Sequence, residues 1–281
     1  MLAPPIIGGL TLSPIIAWSV SASPISCDSV EAEHPKEVVR RGYDAVSMRY
    51  DKWSGGETKY SAWLSELGQR IPAGGAVLDL GCGSGLPVAR DLTAAGCQIT
   101  GVDISEVQIR RARELVPAAA FLQADISSVD FDSESFDAVV SFFALIHLPL
   151  DDQLPLLRKI AGWLRPGGLF VATTGYRAWT GYEENWLDGG ARMWWSQADV
   201  AAYRSWIDEA GLSIDREDFI PEGDGGHALF WTSRPQRPDR SAQDPDAQVW
   251  QAPARKRDQG YEVVDHAFPR GATRPAAGRR N

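Results

Sequence analysis

The chain has 281 residues, 44% of them hydrophobic, which is enough for one sizeable domain with extensions at its ends. Its 37 acidic and 28 basic residues give a net charge of −9, and an acidic surface repels the phosphate backbone of DNA or RNA. Nucleic acid is therefore excluded as a substrate. The three cysteines are too few and too scattered for a disulfide framework or a zinc site, so we expect a protein of the reducing cytoplasm without a metal.

Both ends of the chain are expected to lie outside the domain, which we place at residues 36–235. Within the expected leader of residues 1–35, residues 1–26 are largely apolar and interrupted by prolines, and no Lys or Arg precedes Lys36. A membrane helix needs about 20 uninterrupted apolar residues, and a secretory signal needs a basic start. We therefore expect a disordered leader that does not engage a membrane, with a degenerate export signal as the alternative. Residues 236–281 are polar and lack apolar periodicity, which predicts a disordered tail.

Two amphipathic helices, followed by alternating strands and helices, are predicted for the first part of the domain. Apolar residues at steps of three and four indicate helices over 37–53 and 60–67. The predicted strands are residues 76–80, 98–102, 119–123, 138–142 and 169–173, and the helices between them end near Ala95, run from Ser105 to Leu115 and run from Asp151 to Leu164. Ser105 is expected to cap its helix, and residues 166–168 (PGG) are a stop signal.

The second part of the domain has an aromatic-rich stretch without a clear period, residues 176–195. Ser196 to Asp199 then resembles a capping box, which predicts a helix from there to Ala210. Two further strands are expected at 213–220 and 227–232. The alternation of strands and helices predicts an α/β fold, with a parallel sheet covered by helices on both faces.

The motif that points most directly to a ligand is residues 77–85, VLDLGCGSG, followed by Asp103 at the end of the next strand. Glycines allow a ligand to approach the backbone closely, and an acid about 20 residues further on can bind a pair of ribose hydroxyls. The motif therefore predicts an adenosine-type ligand. A dinucleotide site would have a third glycine where Leu86 stands, and it does not require Asp79. An NAD(P)-dependent oxidoreductase is therefore the alternative rather than the main hypothesis.

Several motifs in order resemble those of class I S-adenosylmethionine (SAM)-dependent methyltransferases. After VLDLGCGSG come GVDI at 101–104, QADI at 123–126, FDAVVS at 136–141 and LRPGG at 164–168, and the resemblance covers roughly residues 39–233. It implies SAM as the cofactor. It also implies a Rossmann-like, doubly wound sheet of seven strands, mostly parallel with a final antiparallel strand.

The resemblance also implies which residues bind the cofactor. Backbone amides of the turn Gly81, Cys82 and Gly83 would lie beside the methionine part of SAM, and Asp79 would orient that turn or meet the amino group through water. Asp103 would accept from the ribose hydroxyls and Asp125 from the adenine amine. The remaining candidates are apolar or aromatic and lie beside the adenine, beside the methyl group or on the first helix: Ile104, Ile126, Phe142 and Tyr50. For Tyr50, packing of the helix face is the alternative role.

Two histidines are candidates for the general base that a weakly acidic acceptor needs. His147 follows the strand 138–142, beside the expected methyl group, and capping or packing is its alternative role. His227 opens the last strand after two glycines, and Glu222 lies in the turn before it. This turn is expected at the same edge of the sheet as the ligand, which makes Glu222 a candidate for binding the acceptor.

Aromatic side chains are candidate walls of the acceptor pocket. Phe143 follows the fourth strand, and Trp179, Trp194 and Trp195 lie in or at the end of the aromatic-rich stretch. Aromatic walls exclude water and attract a sulfonium cation. A hydrophobic brace for an irregular loop is the other interpretation. The sequence thus predicts methyl transfer to an O, N or C atom of a small, aromatic or apolar molecule. A non-catalytic regulator that binds SAM or S-adenosylhomocysteine (SAH) is a further alternative.

Overall fold

Residues 33–53 and 58–237 are described by a computed structural model of the chain. Of the expected leader, only residues 33–35 lie within this part, and of the expected tail only residues 236–237. The described residues through Gln236 belong to one compact unit.

The helices and strands of this part follow the predicted alternation. The helices are α1 (Pro35–Trp53), α2 (Thr58–Arg70), α3 (Val88–Ala94), α4 (Glu106–Leu115), α5 (Leu150–Trp163) and α6 (Val200–Glu209). The strands are β1 (Ala76–Leu80), β2 (Gln98–Asp103), β3 (Ala120–Gln123), β4 (Phe136–Ser141), β5 (Leu164–Gly175), β6 (Trp179–Trp186), β7 (Ala191–Gln197), β8 (Ser213–Glu222) and β9 (Gly225–Ser233). No helix within the described ranges is both long enough and apolar enough to cross a membrane.

Seven strands form one sheet in the order β3-β2-β1-β4-β5-β9-β8. The strands from β3 to β5 pair in parallel, whereas β9 runs antiparallel to both β5 and β8. The predicted α/β fold, a Rossmann-like sheet with a final antiparallel strand, is confirmed. The chain reverses its direction across the sheet between β1 and β4, and in open parallel sheets the crevice outside the carboxyl ends of such strands is where ligands bind.

The central strands are apolar because both of their faces are covered. Val77 and Leu78 of β1 and Val139 and Val140 of β4 are fully buried. Val77 and Val140 pack in one cluster with residues of α2 and α3, and Leu78 and Val139 pack in a second cluster with α5 and α6. Two apolar faces are expected of a parallel sheet. Their packing holds the strand ends from which the loops at the carboxyl edge begin.

Several element boundaries differ from the sequence prediction, and two of the differences have a clear physical reason. The helix α6 begins three residues later than the capping box suggests, because Ser196 is paired in β7 and the side chain of Asp199 accepts from the amide of Ala202 at 2.9 Å instead. The strand β5 begins at Leu164, so the PGG segment lies inside it: Gly167 donates to the carbonyl of Arg234 at 2.8 Å. The cap of α4 is confirmed, since Ser105 Oγ accepts from the amide of Gln108 at 3.0 Å.

The aromatic-rich stretch forms an antiparallel hairpin, β6 and β7, rather than an irregular loop. The hairpin packs against α1, where Val38 and Val46 share an apolar cluster with Trp186, Met193 and Trp194. The helix α1 therefore lies between this hairpin and the carboxyl edge of the seven-stranded sheet, and it covers the crevice at the point where β1 and β4 end.

Candidate active site

Two neighbouring cavities lie at the carboxyl edge of the sheet. The first has a volume of about 620 Å³ and is bounded by the glycine turn after β1, the ends of β2 and β4, and α1. The second has a volume of about 1030 Å³ and extends between the loop after β4, the hairpin β6–β7 and the turn between β8 and β9. Four side chains line both cavities: Tyr43, Tyr50, Phe143 and His147.

The glycine turn opens the first cavity because it lacks side chains. Gly81 has a φ of +79°, and a Cβ atom on it would lie 2.3 Å from the Cβ of Ala144. Gly81 and Gly83 both line the cavity, but their amides do not face it as expected: the first donates to Val102 O at 2.8 Å and the second to Asp103 Oδ2 at 2.9 Å. The two amides that were expected to donate to the ligand therefore donate to Val102 and Asp103 instead.

Cys82 does not line the cavity, and its place among the cofactor-binding candidates stays a prediction. Its amide donates to Val102 O at 3.0 Å, and its side chain is buried beneath the turn, where it blocks the space beside Gly101. The thiol is thus part of the packing that holds the turn against β2.

Asp79 lies at the end of β1 behind the glycine turn and is buried, with 2% of its surface exposed. Among the described residues, its Oδ2 atom has no hydrogen-bond partner. Burial raises the pKa of Asp79 to about 8, and the negative charge of Asp103 adds to this effect. A buried carboxylate oxygen without a donor fits the ammonium group of an amino-acid ligand, because burying an unpaired charge is costly.

Asp103 joins the glycine turn to the start of α4. Its two carboxylate oxygens accept from the amides of Gly83 and Ser105, both at 2.9 Å. Burial raises the pKa of Asp103 to about 6. Each carboxylate oxygen has a further lone pair, and both Asp103 and Ile104 line the first cavity. Asp103 thus has acceptor capacity left for hydroxyl groups of a ligand.

Asp125 and Ile126 line the first cavity at the end of β3. Asp125 Oδ2 accepts from Lys36 Nζ at 2.8 Å, and Lys36 also forms an ion pair with Asp152. Burial alone would raise the pKa of Asp125, but the Lys36 ammonium and the Ser127 donors hold it below its ordinary value. Lys36 is a cavity residue that the sequence analysis missed.

The helix α1 forms the roof of the first cavity through residues spaced by three, four and seven positions: Lys36, Val39, Tyr43 and Tyr50. Opposite them are Phe142 and Phe143, directly after β4. Phe143 has a φ of +58°, which is uncommon outside glycine. Its amide is hydrogen bonded to Thr173 Oγ1, which holds this backbone in place.

His147 lies in the short turn after β4 and is buried, with 4% of its surface exposed. Its Nδ1 atom is 2.8 Å from the carbonyl oxygen of Trp194, and its Nε2 atom is 3.0 Å from the hydroxyl of Tyr43. Burial lowers the pKa of His147 to about 4. Because a carbonyl only accepts, Nδ1 carries the hydrogen of the neutral ring, and Nε2 accepts from Tyr43.

His227 and Glu222 line the second cavity and are paired with each other. His227 Nε2 is 3.0 Å from Glu222 Oε2, and His227 Nδ1 is 3.3 Å from the carbonyl oxygen of Thr174. Both ring nitrogens thus face oxygen acceptors within the protein. A general base needs a ring nitrogen whose lone pair faces the acceptor, and both nitrogens of His227 face protein oxygens instead.

The hairpin supplies the outer wall of the second cavity, but only on one face. Trp179 and Trp195 line the cavity, whereas Trp194 is buried in the cluster with α1 and does not. Neighbouring residues of a strand point to opposite faces, so Trp194 and Trp195 cannot both face the acceptor. Trp194 is therefore placed away from the second cavity, and its predicted contact with the acceptor stays a prediction. Trp186, Glu183 and Gln197 also line the cavity and were missed.

No group of three or more His, Cys, Asp or Glu side chains within residues 33–53 and 58–237 could hold a metal ion. The first cavity is instead lined by two carboxylates, two glycines and apolar side chains, which suit an organic ligand.

Comparison with known proteins agrees with this arrangement. Residues 77–168 match the family model described as "Methyltransferase domain". The 27-O-demethylrifamycin SV methyltransferase of Amycolatopsis mediterranei (strain S699) is 33% identical over 156 residues, which are 48% of this chain and 56% of the relative. The carboxy-S-adenosyl-L-methionine synthase of Aliivibrio fischeri (strain MJ11) is 40% identical over 109 residues, 36% of this chain and 44% of the relative. The match thus spans about half the length of these curated relatives.

A solved structure shows the same fold over most of the described part. The 1,6-didemethyltoxoflavin-N1-methyltransferase of Burkholderia thailandensis, solved with 1,6-didemethyltoxoflavin and SAH, is 19% identical and has a TM-score of 0.56. The similarity covers 73% of this chain and 92% of that one. The glycine turn, the acidic strand ends and these similarities together show a methyltransferase domain at residues 77–168, within a sheet that has the fold of the class I SAM-dependent methyltransferases.

Proposed function

We propose that this chain transfers a methyl group from SAM to an O, N or C atom of a small molecule that binds in the second cavity. The observation that carries the proposal is the pair of adjoining cavities. One contains the glycine turn with Asp103 and Asp125, the other is walled by aromatic rings, and four side chains line both. Two ligands in these cavities would lie side by side, as an in-line transfer between them requires.

The first cavity fits SAM group by group. Asp103 lines the cavity and offers acceptor capacity to the ribose hydroxyls. Asp79 does not line the cavity but is buried beside the glycine turn, and we assign its oxygen, unpartnered among the described residues, to the ammonium group. Ile104 and Ile126 suit the adenine ring, and Asp125 suits its amino group. Lys36, which donates to Asp125 Oδ2, would either move away or share that oxygen with the adenine amine. Tyr50 and Phe142 line the remaining wall. When bound, SAM supplies an electrophilic methyl group on a sulfonium leaving group, so the protein mainly positions the acceptor and excludes water.

The second cavity supports a flat or apolar acceptor. Trp179, Trp186, Trp195 and Phe143 line it, and a ligand pocket walled mainly by aromatic rings suits a flat, apolar molecule. The polar groups at its rim are Glu183, Gln197 and the pair of Glu222 and His227. The net charge of −9 and the scattered cysteines support a small-molecule acceptor in the reducing cytoplasm rather than a nucleic acid.

Calorimetric titration of the full chain with SAM, SAH and NADH, followed by an SAH-release assay against phenols, amines and carboxylic acids, tests the proposal. We expect SAM and SAH to bind and NADH not to bind, with SAH released in the presence of at least one acceptor. Asp103→Asn should weaken SAH binding, whereas Asp132→Asn, on an exposed residue outside both cavities, should not. NADH binding without SAM binding would favour the oxidoreductase, and SAM binding without SAH release would favour the regulator.

A further inference from the structure

We propose that Tyr43 removes the proton of the methyl acceptor and passes its own proton to His147, so that the site is built for acceptors with a weakly acidic O–H group. This inference deepens the proposed function and rests on it. It assigns Tyr43, rather than either histidine, as the group that contacts the reacting oxygen.

The position of Tyr43 is the first argument. It lies on α1, and its side chain lines both cavities, so its hydroxyl stands where the cofactor and the acceptor would meet. Its ring is held edge-on by Tyr50, His147 and Trp186, with centroid distances of 5.4, 5.4 and 5.2 Å. A ring fixed on three sides keeps the hydroxyl at one place, which proton transfer requires.

The direction of the hydrogen bonds is the second argument. The Trp194 carbonyl fixes the hydrogen of His147 on Nδ1, so Tyr43 must donate its proton to Nε2 at 3.0 Å. The hydroxyl of Tyr50 is hydrogen bonded to those of Tyr43 and Tyr60. With the proton of Tyr43 already used, Tyr50 donates to Tyr43 and Tyr60 donates to Tyr50. The chain of donors therefore runs in one direction, from Tyr60 through Tyr43 to the Trp194 carbonyl.

Among the described residues, this order leaves one lone pair of Tyr43 Oη unused and none on His147. A hydroxyl oxygen has two acceptor sites, and the hydrogen bond that Tyr50 donates uses one of them. An acceptor O–H in the second cavity can donate to the other. Both nitrogens of His147 are engaged by protein atoms, so the imidazole reaches the acceptor only through Tyr43.

The proton path balances with the methyl transfer. The carbon–sulfur bond breaks with its electron pair remaining on sulfur, and a lone pair of the acceptor oxygen forms the new bond to carbon. The acceptor's O–H proton moves to Tyr43 Oη while the Tyr43 proton moves to His147 Nε2. The imidazolium then carries the positive charge that the sulfonium loses, and it returns the proton through Tyr43 to solvent after the product leaves.

The surroundings of His147 suit a temporary proton acceptor. Burial keeps the resting imidazole neutral, and burial also raises the pKa of Tyr43 well above its ordinary value, so the hydroxyl is protonated and able to donate. The indole of Trp195 lies over the imidazole, with ring centroids 4.4 Å apart. An aromatic ring stabilises an adjacent cation, which assists His147 while it carries the charge.

The test compares Tyr43→Phe and His147→Asn with wild type on a series of phenols of increasing acidity, up to para-nitrophenol. Tyr43→Phe keeps the packed ring and removes only the hydroxyl. His147→Asn keeps an N–H donor for the Trp194 carbonyl and removes the basic nitrogen. Tyr203→Phe is the matched control, because it removes another buried tyrosine hydroxyl, bonded to Gln153 Oε1 at 2.7 Å, outside both cavities.

For weakly acidic phenols, we expect Tyr43→Phe and His147→Asn to lower kcat by about 10²- to 10⁴-fold with little change in KM. For para-nitrophenol, assayed at a pH at which it is ionised, the kcat of both variants should approach that of wild type, because no proton remains to be removed. A merely structural role would reduce the turnover of all phenols alike, and that result would overturn the proposal. Turnover of amines or carbon nucleophiles with no phenol accepted would also overturn it.

Nitrogen-15 NMR of the histidine rings tests the same arrangement without any acceptor, using His147→Asn to assign the signal. The proposal requires the Nδ1–H tautomer and an Nε2 resonance that moves in Tyr43→Phe but not in Tyr203→Phe. An Nε2–H tautomer would overturn it even if no phenol in the series is a substrate. Failure of the full chain to bind SAM would instead refute the proposed function itself, so the two failures are distinguishable.

Discussion

The hydroxyl of Tyr43 lies 3.0 Å from Nε2 of His147, although 104 residues separate the two in the chain. The contact exists only because α1 is packed against the hairpin β6–β7 on one side and against the carboxyl edge of the sheet on the other. The hairpin also supplies the carbonyl that fixes the ring of His147, 2.8 Å from Nδ1. Three segments distant in sequence thus define the boundary between the two cavities.

Gly81→Ala should damage both the fold and the first cavity. The new Cβ would lie 2.3 Å from the Cβ of Ala144 at a φ of +79°, and the left-handed backbone alone costs about 1–2 kcal/mol. We expect the free energy of unfolding to fall by about 2 kcal/mol or more, with weaker SAH binding, in urea titrations and calorimetry. Gly162→Ala, in α5 with nothing within 4 Å of the new atom, should stabilise the protein by about 0.5–1 kcal/mol. Equal effects of the two substitutions would refute this account of the turn.

Asp79→Asn should weaken SAM binding while leaving the free protein at least as stable. Burial keeps this carboxyl group protonated in the free protein near neutral pH. The amide therefore changes the free protein little, but it cannot supply the negative charge that a bound ammonium group would pair with. We expect at least about a tenfold loss of SAM affinity by calorimetry, because a hydrogen bond to a charged group contributes about 1.5–3 kcal/mol. Asp132→Asn serves as the control on an exposed acid. Unchanged SAM affinity in Asp79→Asn would remove Asp79 from the cofactor site.

The free energy of unfolding without ligand should fall as the pH rises from about 6.5 to about 8. Burial raises the pKa of Asp79 from its ordinary 3.8 to about 8, so in this window the folded state holds a proton that the unfolded state has released. The slope is at most about 1.4 kcal/mol per pH unit for one proton. Below pH 6.5, His147 has the opposite effect on the free energy of unfolding, because burial lowers its pKa in the folded state from 6.5 to about 4. Asp79→Asn should flatten the decline, and a decline unchanged in that variant would assign it to another group.

The two faces of the hairpin should respond differently to tryptophan removal. Trp194 is 6% exposed and packs with α1, so Trp194→Ala should cost about 3–5 kcal/mol of stability. Trp179 is 48% exposed and lines the second cavity, so Trp179→Ala should change stability little but raise the KM of the acceptor. Thermal unfolding and steady-state kinetics separate the two effects. A large loss of stability in Trp179→Ala would contradict the assignment of faces.

Features set by neighbouring residues could be predicted from the sequence. The glycine turn, Asp103 and the cap at Ser105 depend on local backbone conformation, and each lies where its motif places it. The apolar strands are recognisable because a parallel sheet buries both faces. The alternation of side chains along a strand also separates Trp194 from Trp195 once β7 is recognised as a strand.

Features that depend on distant packing could not be predicted. Lys36 is 89 residues from Asp125, and nothing in either local sequence indicates that α1 brings them together. His227 has a residue type suited to a base, but Glu222 and the Thr174 carbonyl engage its ring. Ser196 does not cap α6, because it is paired with Thr180 in the hairpin of β6 and β7. In each case a tertiary contact overrides a local preference.

A crystal structure of the full chain with SAH tests the central claim most directly, because it shows whether the two cavities form one site. We predict the ribose hydroxyls on Asp103, the amino group near Asp79, and the sulfur atom at the boundary of the cavities, facing the hydroxyl of Tyr43. SAH bound elsewhere, or in the first cavity with its sulfur directed away from the second, would contradict the account.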